Sequence, residues 1–157
     1  MSKELRCENT ELNFAYLAGL VDGEGSMNFY KMNNKSCVRG YTFVARLTIT
    51  NKDFETLMQI REEIGFGFVK IKPIDKRMPN RCQAYDLVFG ARQVRCLLPK
   101  LIPHLRIKKK QAVLLMSFLS RQRWGGRKGL SDSEYSARED IKKQIDFLNL
   151  RGITQTI

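Results

Sequence analysis

The sequence has little with which to build a closed metal cage or a disulfide framework. Its four cysteines, Cys7, Cys37, Cys82 and Cys96, lie far apart, with no pair at the close spacing of a zinc site or a redox motif. That usage suits a reducing, intracellular compartment. The single histidine, His104, follows Pro103 with no acid or cysteine at close spacing, which favours a structural or exposed role over a catalytic one. The longest apolar run, Phe14 to Val21, falls short of the roughly 20 residues that span a bilayer. The opening residues mix Lys3 and Arg6 with Glu4 and Glu8, so they read as neither a secretory signal nor an acid-poor transit peptide.

Acidic residues are the most informative shortage. From Leu87 to Leu130 there is no Asp or Glu, while eleven Lys or Arg fall in the same stretch. The whole chain carries 28 Lys and Arg against 16 Asp and Glu, a formal net charge of +12. A charge of that size and unevenness points to a polyanionic partner, with nucleic acid the first candidate. A membrane-surface role fits less well, because no segment joins a basic face to a clean apolar one. With 157 residues and 43% hydrophobic content, one domain over 1–157 can bury a core of its own.

Periodicity gives the order of elements. Asn9 and Thr10 can cap a helix over about Glu11 to Val21, which Gly23-Glu24-Gly25 would end. Period-two patterns over Ser26 to Lys35 and Tyr41 to Asn51 predict a hairpin, and in the second strand Tyr41, Phe43, Ala45, Leu47 and Ile49 share the core phase. Asp53 caps a second helix that ends at Gly65 and Gly67. A second hairpin follows, Phe68 to Ile74 and Arg81 to Phe89, in which Val69 and Ile71 should pack inward while Lys70 and Lys72 point outward. Helices are then expected over about Ala91 to Leu98, Lys108 to Trp124 and Asp132 to Leu148, broken by Pro99, Pro103 and Gly125-Gly126. The fold class is α+β, with helices on one face of a four-stranded antiparallel sheet and the other face open. Such a twisted sheet can lie in a DNA major groove.

The first helix is uninterrupted by polar residues from Phe14 to Val21 and should be buried all round. Ala18 and Gly19 lack bulk, so the same helix of a second copy could approach closely and form a two-fold dimer. Glu24, between two glycines, could meet a divalent ion, and a hard cation such as Mg²⁺ prefers such oxygen ligands. Taken on spacing alone, Asp22-Gly23-Glu24-Gly25 is also an ordinary turn composition.

Leu17-Ala18-Gly19-Leu20-Val21-Asp22-Gly23-Glu24-Gly25 resembles the LAGLIDADG homing endonuclease signature. The segment Leu101 to Ala112, with Lys108-Lys109-Lys110, resembles the basic stretch that supplies an active-site lysine in the single-motif, homodimeric members. The resemblance covers nearly the whole chain. It implies an αββαββα core with C-terminal helices, each sheet saddled over half of a long pseudo-palindromic DNA site, and a metal-dependent double-strand break at the centre. It places Glu24 as the metal-binding acid, Gly23 as a carbonyl ligand and Lys108 as the pocket lysine. Mg²⁺, or another divalent ion such as Mn²⁺, is the implied cofactor. Leu17, Ala18, Gly19, Val21 and Asp22 fall at the implied dimer interface. The resemblance also places Asn51 among the catalytic residues, where relatives often carry Gln to hold solvent near the metals, and Glu55 where some carry Arg; both are departures from the pattern.

Alternation assigns base readout to Asn28, Tyr30, Met32, Asn34, Thr42, Val44, Arg46, Thr48, Lys70, Lys72, Cys82, Ala84 and Asp86, with Arg46 and Lys70 suited to guanine edges and Asp86 to cytosine. A one-residue slip would reverse any strand's assignment. The competing reading is a non-cleaving binder on the same fold, either an RNA maturase acting on intron RNA or a DNA-binding regulator. Glu24 together with Lys108 favours cleavage, since a pure binder gains little from a carboxylate beside a phosphate.

Overall fold

A computed structural model describes residues 13–74, 82–121 and 131–150, together with Arg77 and Asn80. Helix α1 (Phe14–Glu24) begins at Asn13, whose side-chain oxygen accepts the N–H groups of Ala15 and Tyr16 at 3.0 and 3.1 Å. Asn9 and Thr10, the expected caps, lie outside the described residues. Gly23 does not end the helix as expected. The helix continues to Glu24 and passes without a loop into strand β1 (Gly25–Asn33). At that junction the Gly25 N–H donates to the Val21 carbonyl, and a Cβ on Gly25 would lie 2.5 Å from the same oxygen.

Strand β1 turns back through the 34–40 segment into β2 (Tyr41–Asn51), with Gly25 opposite Ile49 and Asn33 opposite Tyr41. Helix α2 (Phe54–Ile64) is capped by Asp53, whose carboxylate accepts the Thr56 N–H. It stops at Gly65, whose left-handed backbone (φ 80°) suits a residue without Cβ. Strands β3 (Phe68–Lys72) and β4 (Ala84–Gly90) complete an antiparallel sheet of order β1-β2-β4-β3. Helices α3 (Ala91–Leu101), α4 (Lys109–Arg121) and α5 (Asp132–Asn149) follow. The predicted break at Pro99 does not occur. The proline sits exposed in the last turn, and the Ile102 N–H closes that turn onto the Leu98 carbonyl at 2.9 Å. Trp124 and the Gly125-Gly126 break lie outside the described residues.

The sheet buries one face, as its alternation predicts. Met27, Phe29, Phe43, Ala45, Leu47, Ile49, Leu87 and Phe89 are sealed beneath α1, α3 and α4. Removing this much apolar surface from water is the main force holding the layers together. Not every core-phase position is sealed. Lys31 shares the phase of Met27 and Phe29, and its ammonium pairs with Glu139 of α5 while lying 4.5 Å from the Tyr41 ring centroid. Ile71 faces the helices' side of the sheet but remains 66% exposed, because it lies near the end of an edge strand. The inward packing expected of it is therefore not made, whereas Val69 packs against the core.

Helix α5 lies along β1, the other edge of the sheet. Its Tyr135 ring packs edge-on against Tyr41 and Phe43, its Asp132 pairs with Arg39, and its Asn149 amide donates to the Met27 carbonyl at 2.9 Å. That last bond satisfies an acceptor on the strand's outer side and protects an edge that could otherwise pair with another chain. Among the described residues, no helix is long and apolar enough to cross a membrane.

Candidate active site and nucleic-acid interface

The two acids of the motif have separate surroundings. At about 100° per residue, positions two apart on a helix point nearly opposite ways. Glu24 is exposed at the end of α1, while half-buried Asp22 turns toward its own chain. One Asp22 carboxylate oxygen accepts the backbone N–H groups of Arg106 at 2.8 Å and Ile107 at 3.2 Å, and the other accepts that of Lys108 at 2.9 Å. The Lys108 ammonium in turn donates to the Asp22 backbone carbonyl. Burial raises the Asp22 carboxyl pKa, but the three N–H donors and the lysine charge outweigh it and hold the group below its usual 3.8.

These bonds bring Lys108 to the end of the helix that carries Glu24, although 84 positions separate them in sequence. Asn51 joins the same end through the sheet. Ile49 lies opposite Gly25, so Asn51, two residues further along β2, flanks the helix–strand junction. Its side-chain oxygen accepts the Asp53 N–H at 3.0 Å and thereby shapes the entry to α2. Glu55 is exposed in the first turn of α2. His104 is exposed in the turn after α3, where its N–H donates to the Leu101 carbonyl.

The open face of the sheet presents Asn28, Tyr30, Met32, Thr42, Val44, Arg46, Thr48, Lys70, Lys72, Ala84 and Asp86 on one phase, as the alternation and registers require. A groove of about 440 Å³ runs over this face, lined by most of these polar side chains and by Asp146 of α5. The Arg46 guanidinium lies 5.3 Å from the Tyr30 ring centroid. Asp86 is only 8% exposed; the Thr50 hydroxyl donates to it at 2.7 Å, and the Lys72 ammonium lies 3.9 Å away. Two expected members fall outside the strands. Asn34 belongs to the turn, where its oxygen accepts the Ser36 N–H, and exposed Cys82 precedes β4. Sequence reasoning passed over Ser26 and Thr50, which share the open phase of Asn28 and Thr48. The same period of two would have found both.

The expected interface residues divide by face. Leu17, Ala18 and Val21 are at most 1% exposed within the single chain. They pack on the chain's own sheet and helices, so α1 is not buried all round and these three side chains are already covered within the single chain. Asp22 likewise faces inward, to the 106–108 turn. Of the named set, Gly19 alone remains outward, beside Tyr16 and Gly23, and a Cβ on Gly19 or Gly23 would have nothing within 4 Å.

Residues 17–87 match the LAGLIDADG endonuclease family. That match spans somewhat less than half of the chain, and the motif at the end of α1 and the αββαββα order agree with it. It is 29% identical over 114 residues to the DNA endonuclease I-CvuI of Chlorella vulgaris, an alignment spanning 71% of this chain and 66% of that enzyme, slightly less than two thirds of its length. Its fold superposes on I-CvuI in complex with its DNA target with a TM-score of 0.67 at 22% identity, over 92% of this chain and 85% of the other. It superposes on the archaeal intron-encoded homing endonuclease I-Vdi141I in complex with DNA at 0.73 and 18% identity, over 92% and 88%. A third match, I-SmaMI bound to uncleaved DNA, has a TM-score of 0.68 at 20% identity; 92% of this chain covers 47% of that one.

Proposed function

We propose that this chain is a homing endonuclease subunit that binds duplex DNA through the open sheet face and, as a homodimer, makes a divalent-metal-dependent double-strand break. The observation that carries the reading is the gathering of Glu24 and Lys108 at one end of α1, next to the end of a basic, groove-bearing sheet. The family match supports an endonuclease, and relatives are known in complex with DNA targets. The similarity to about half of I-SmaMI supports two copies acting together. The outward face of α1, with Gly19 and Gly23 bare, supports a close helix-to-helix contact.

The residues present fit a hard divalent cation. Glu24 offers an exposed carboxylate at a helix C-terminus, where carbonyls such as that of Gly23 lack intrahelical partners and the helix dipole favours positive charge. Among the described residues no cluster of three acids, histidines or cysteines gathers. One carboxylate per chain therefore suits Mg²⁺ or Mn²⁺ sharing DNA phosphates and water, rather than a closed cage. Such an ion would activate water and neutralise charge on the phosphate under attack. Lys108, as a cation at the same end, would stabilise that charge or the leaving oxygen. Arg46, Lys70 and Lys72 supply phosphate or guanine contacts, and Asn28, Thr48 and Thr50 smaller hydrogen-bonding groups.

The test is selection of cleaved sites from a duplex library with Mg²⁺, followed by the Glu24→Gln variant on the winning site. Lost cleavage with binding retained in Ca²⁺ supports the reading. Binding by the wild type without cleavage in either Mg²⁺ or Mn²⁺ would replace it with a non-cleaving binder.

A further inference from the structure

Asp22 is well placed to govern Lys108. Helix α4 begins amid Arg106, Lys108, Lys109 and Lys110 and has no acid in its own first turn. The orphan N–H groups and positive dipole at a helix start call for an acceptor. Here the acceptor comes from another element: the Asp22 carboxylate takes three consecutive N–H groups, from Arg106 to Lys108, just before the helix. The opposite pole of the pairing is the C-terminal turn of α1, whose Asp22 carbonyl receives the Lys108 ammonium. The two helix ends are thus joined negative to positive, by backbone as well as side chain.

We propose that Asp22 is a positioning residue that fixes the 106–108 turn against α1 and so delivers the Lys108 ammonium to the Glu24 site. The inference rests on the catalytic reading of Lys108 above. It divides the motif's two carboxylates into one that faces the DNA and one that holds the lysine from behind. Asp22 touches no substrate in this role. Its removal should let the turn drift while leaving the open sheet face intact.

The test compares Asp22→Asn, Lys108→Met and the double variant as full-length proteins on a selected duplex. Asp22→Asn should bind that duplex in Ca²⁺ within about twofold of wild type, and its single-turnover cleavage in Mg²⁺ should fall roughly 10- to 100-fold. Lys108→Met should lose at least as much, and the double variant should be no slower than Lys108→Met within about threefold, since one group acts through the other. Amide hydrogen exchange at Arg106, Ile107 and Lys108 should quicken in Asp22→Asn without DNA or metal. Should Asn preserve the turn through its remaining oxygen, Asp22→Ala is the second variant. Independent, multiplying losses in the double variant, or unchanged exchange at all three amides in both Asp22 variants, would overturn the positioning role alone. Full cleavage by Lys108→Met would instead sink the catalytic reading of the lysine, and the positioning role with it.

Discussion

The carbonyl oxygen of Val21 and the α-carbon of Gly25 approach so closely that a methyl group on the glycine would stand 2.5 Å from that oxygen. Both partners are backbone, so no side chain can rotate away to relieve the clash. Gly25→Ala should therefore destabilise the chain by about 3 kcal/mol, the upper end of overpacking costs, as read by urea denaturation. Unchanged stability would mean that the helix–strand junction is looser than described. Gly23→Ala, which meets nothing within 4 Å inside the chain, should cost the fold of the single chain little, and any loss it shows should come through association.

A bulky residue at Gly19 bears on association. Its neighbourhood is open within the chain, so Gly19→Leu should keep the far-ultraviolet circular dichroism of wild type. Sedimentation velocity should then report a monomer where the wild type sediments as a dimer. A dimer that survives this change would place the interface elsewhere than the outward face of α1.

Arg46 is held over Tyr30 and is thereby pre-organised on the open sheet face. If it reads a base edge, Arg46→Ala should relax preference at one position of each half-site by about 1–3 kcal/mol. A phosphate contact predicts instead a uniform loss of affinity with a shallower salt dependence. Site selection repeated at two salt concentrations separates the outcomes, and unaltered affinity and preference would exclude Arg46 from the interface.

Acid should act through Asp22. Its folded pKa is depressed below 3.8, so its contribution to stability is fully present above the ordinary carboxylate value and is lost as pH falls through the lowered one. Wild type should lose more stability than Asp22→Asn on going from neutral pH to about pH 3, measured by denaturant midpoints. Parallel losses would show that the three N–H bonds do not favour the ionised carboxylate.

Much of the fold could be read from β2, where Phe43, Ala45, Leu47 and Ile49 alternate with polar or smaller groups and no other period fits. Helix ends were harder. Gly23 and Pro99 are ordinary stop signals, yet each is carried within the last turn of its helix, Pro99 at the expense of one N–H bond to the preceding turn. The two faces of α1 could not be told apart, because Leu17, Ala18 and Val21 differ little in polarity from Tyr16, Gly19 and Leu20; only packing chose between them. Asp22 read as a helix-end and interface residue because its partners lie 84 to 86 positions away, and local spacing carries no trace of them. Lys31 is similar: a charge on a core phase is intelligible only with Glu139 beside it.

The registry of the sheet also fixes a length. Strand β1 leaves Glu24 directly and runs for 9 residues to the turn, about 30 Å at roughly 3.3 Å per residue. One strand of duplex DNA advances about 3.4 Å per nucleotide, so on the proposed function the strand, laid along a groove, would be a ruler of about nine base steps measured from Glu24. With no loop between α1 and β1 there is no slack at its zero mark. A residue inserted at the Glu24–Gly25 junction would shift every open-face side chain of this strand relative to Glu24, whereas one inserted in the 34–40 turn would only lengthen the far end.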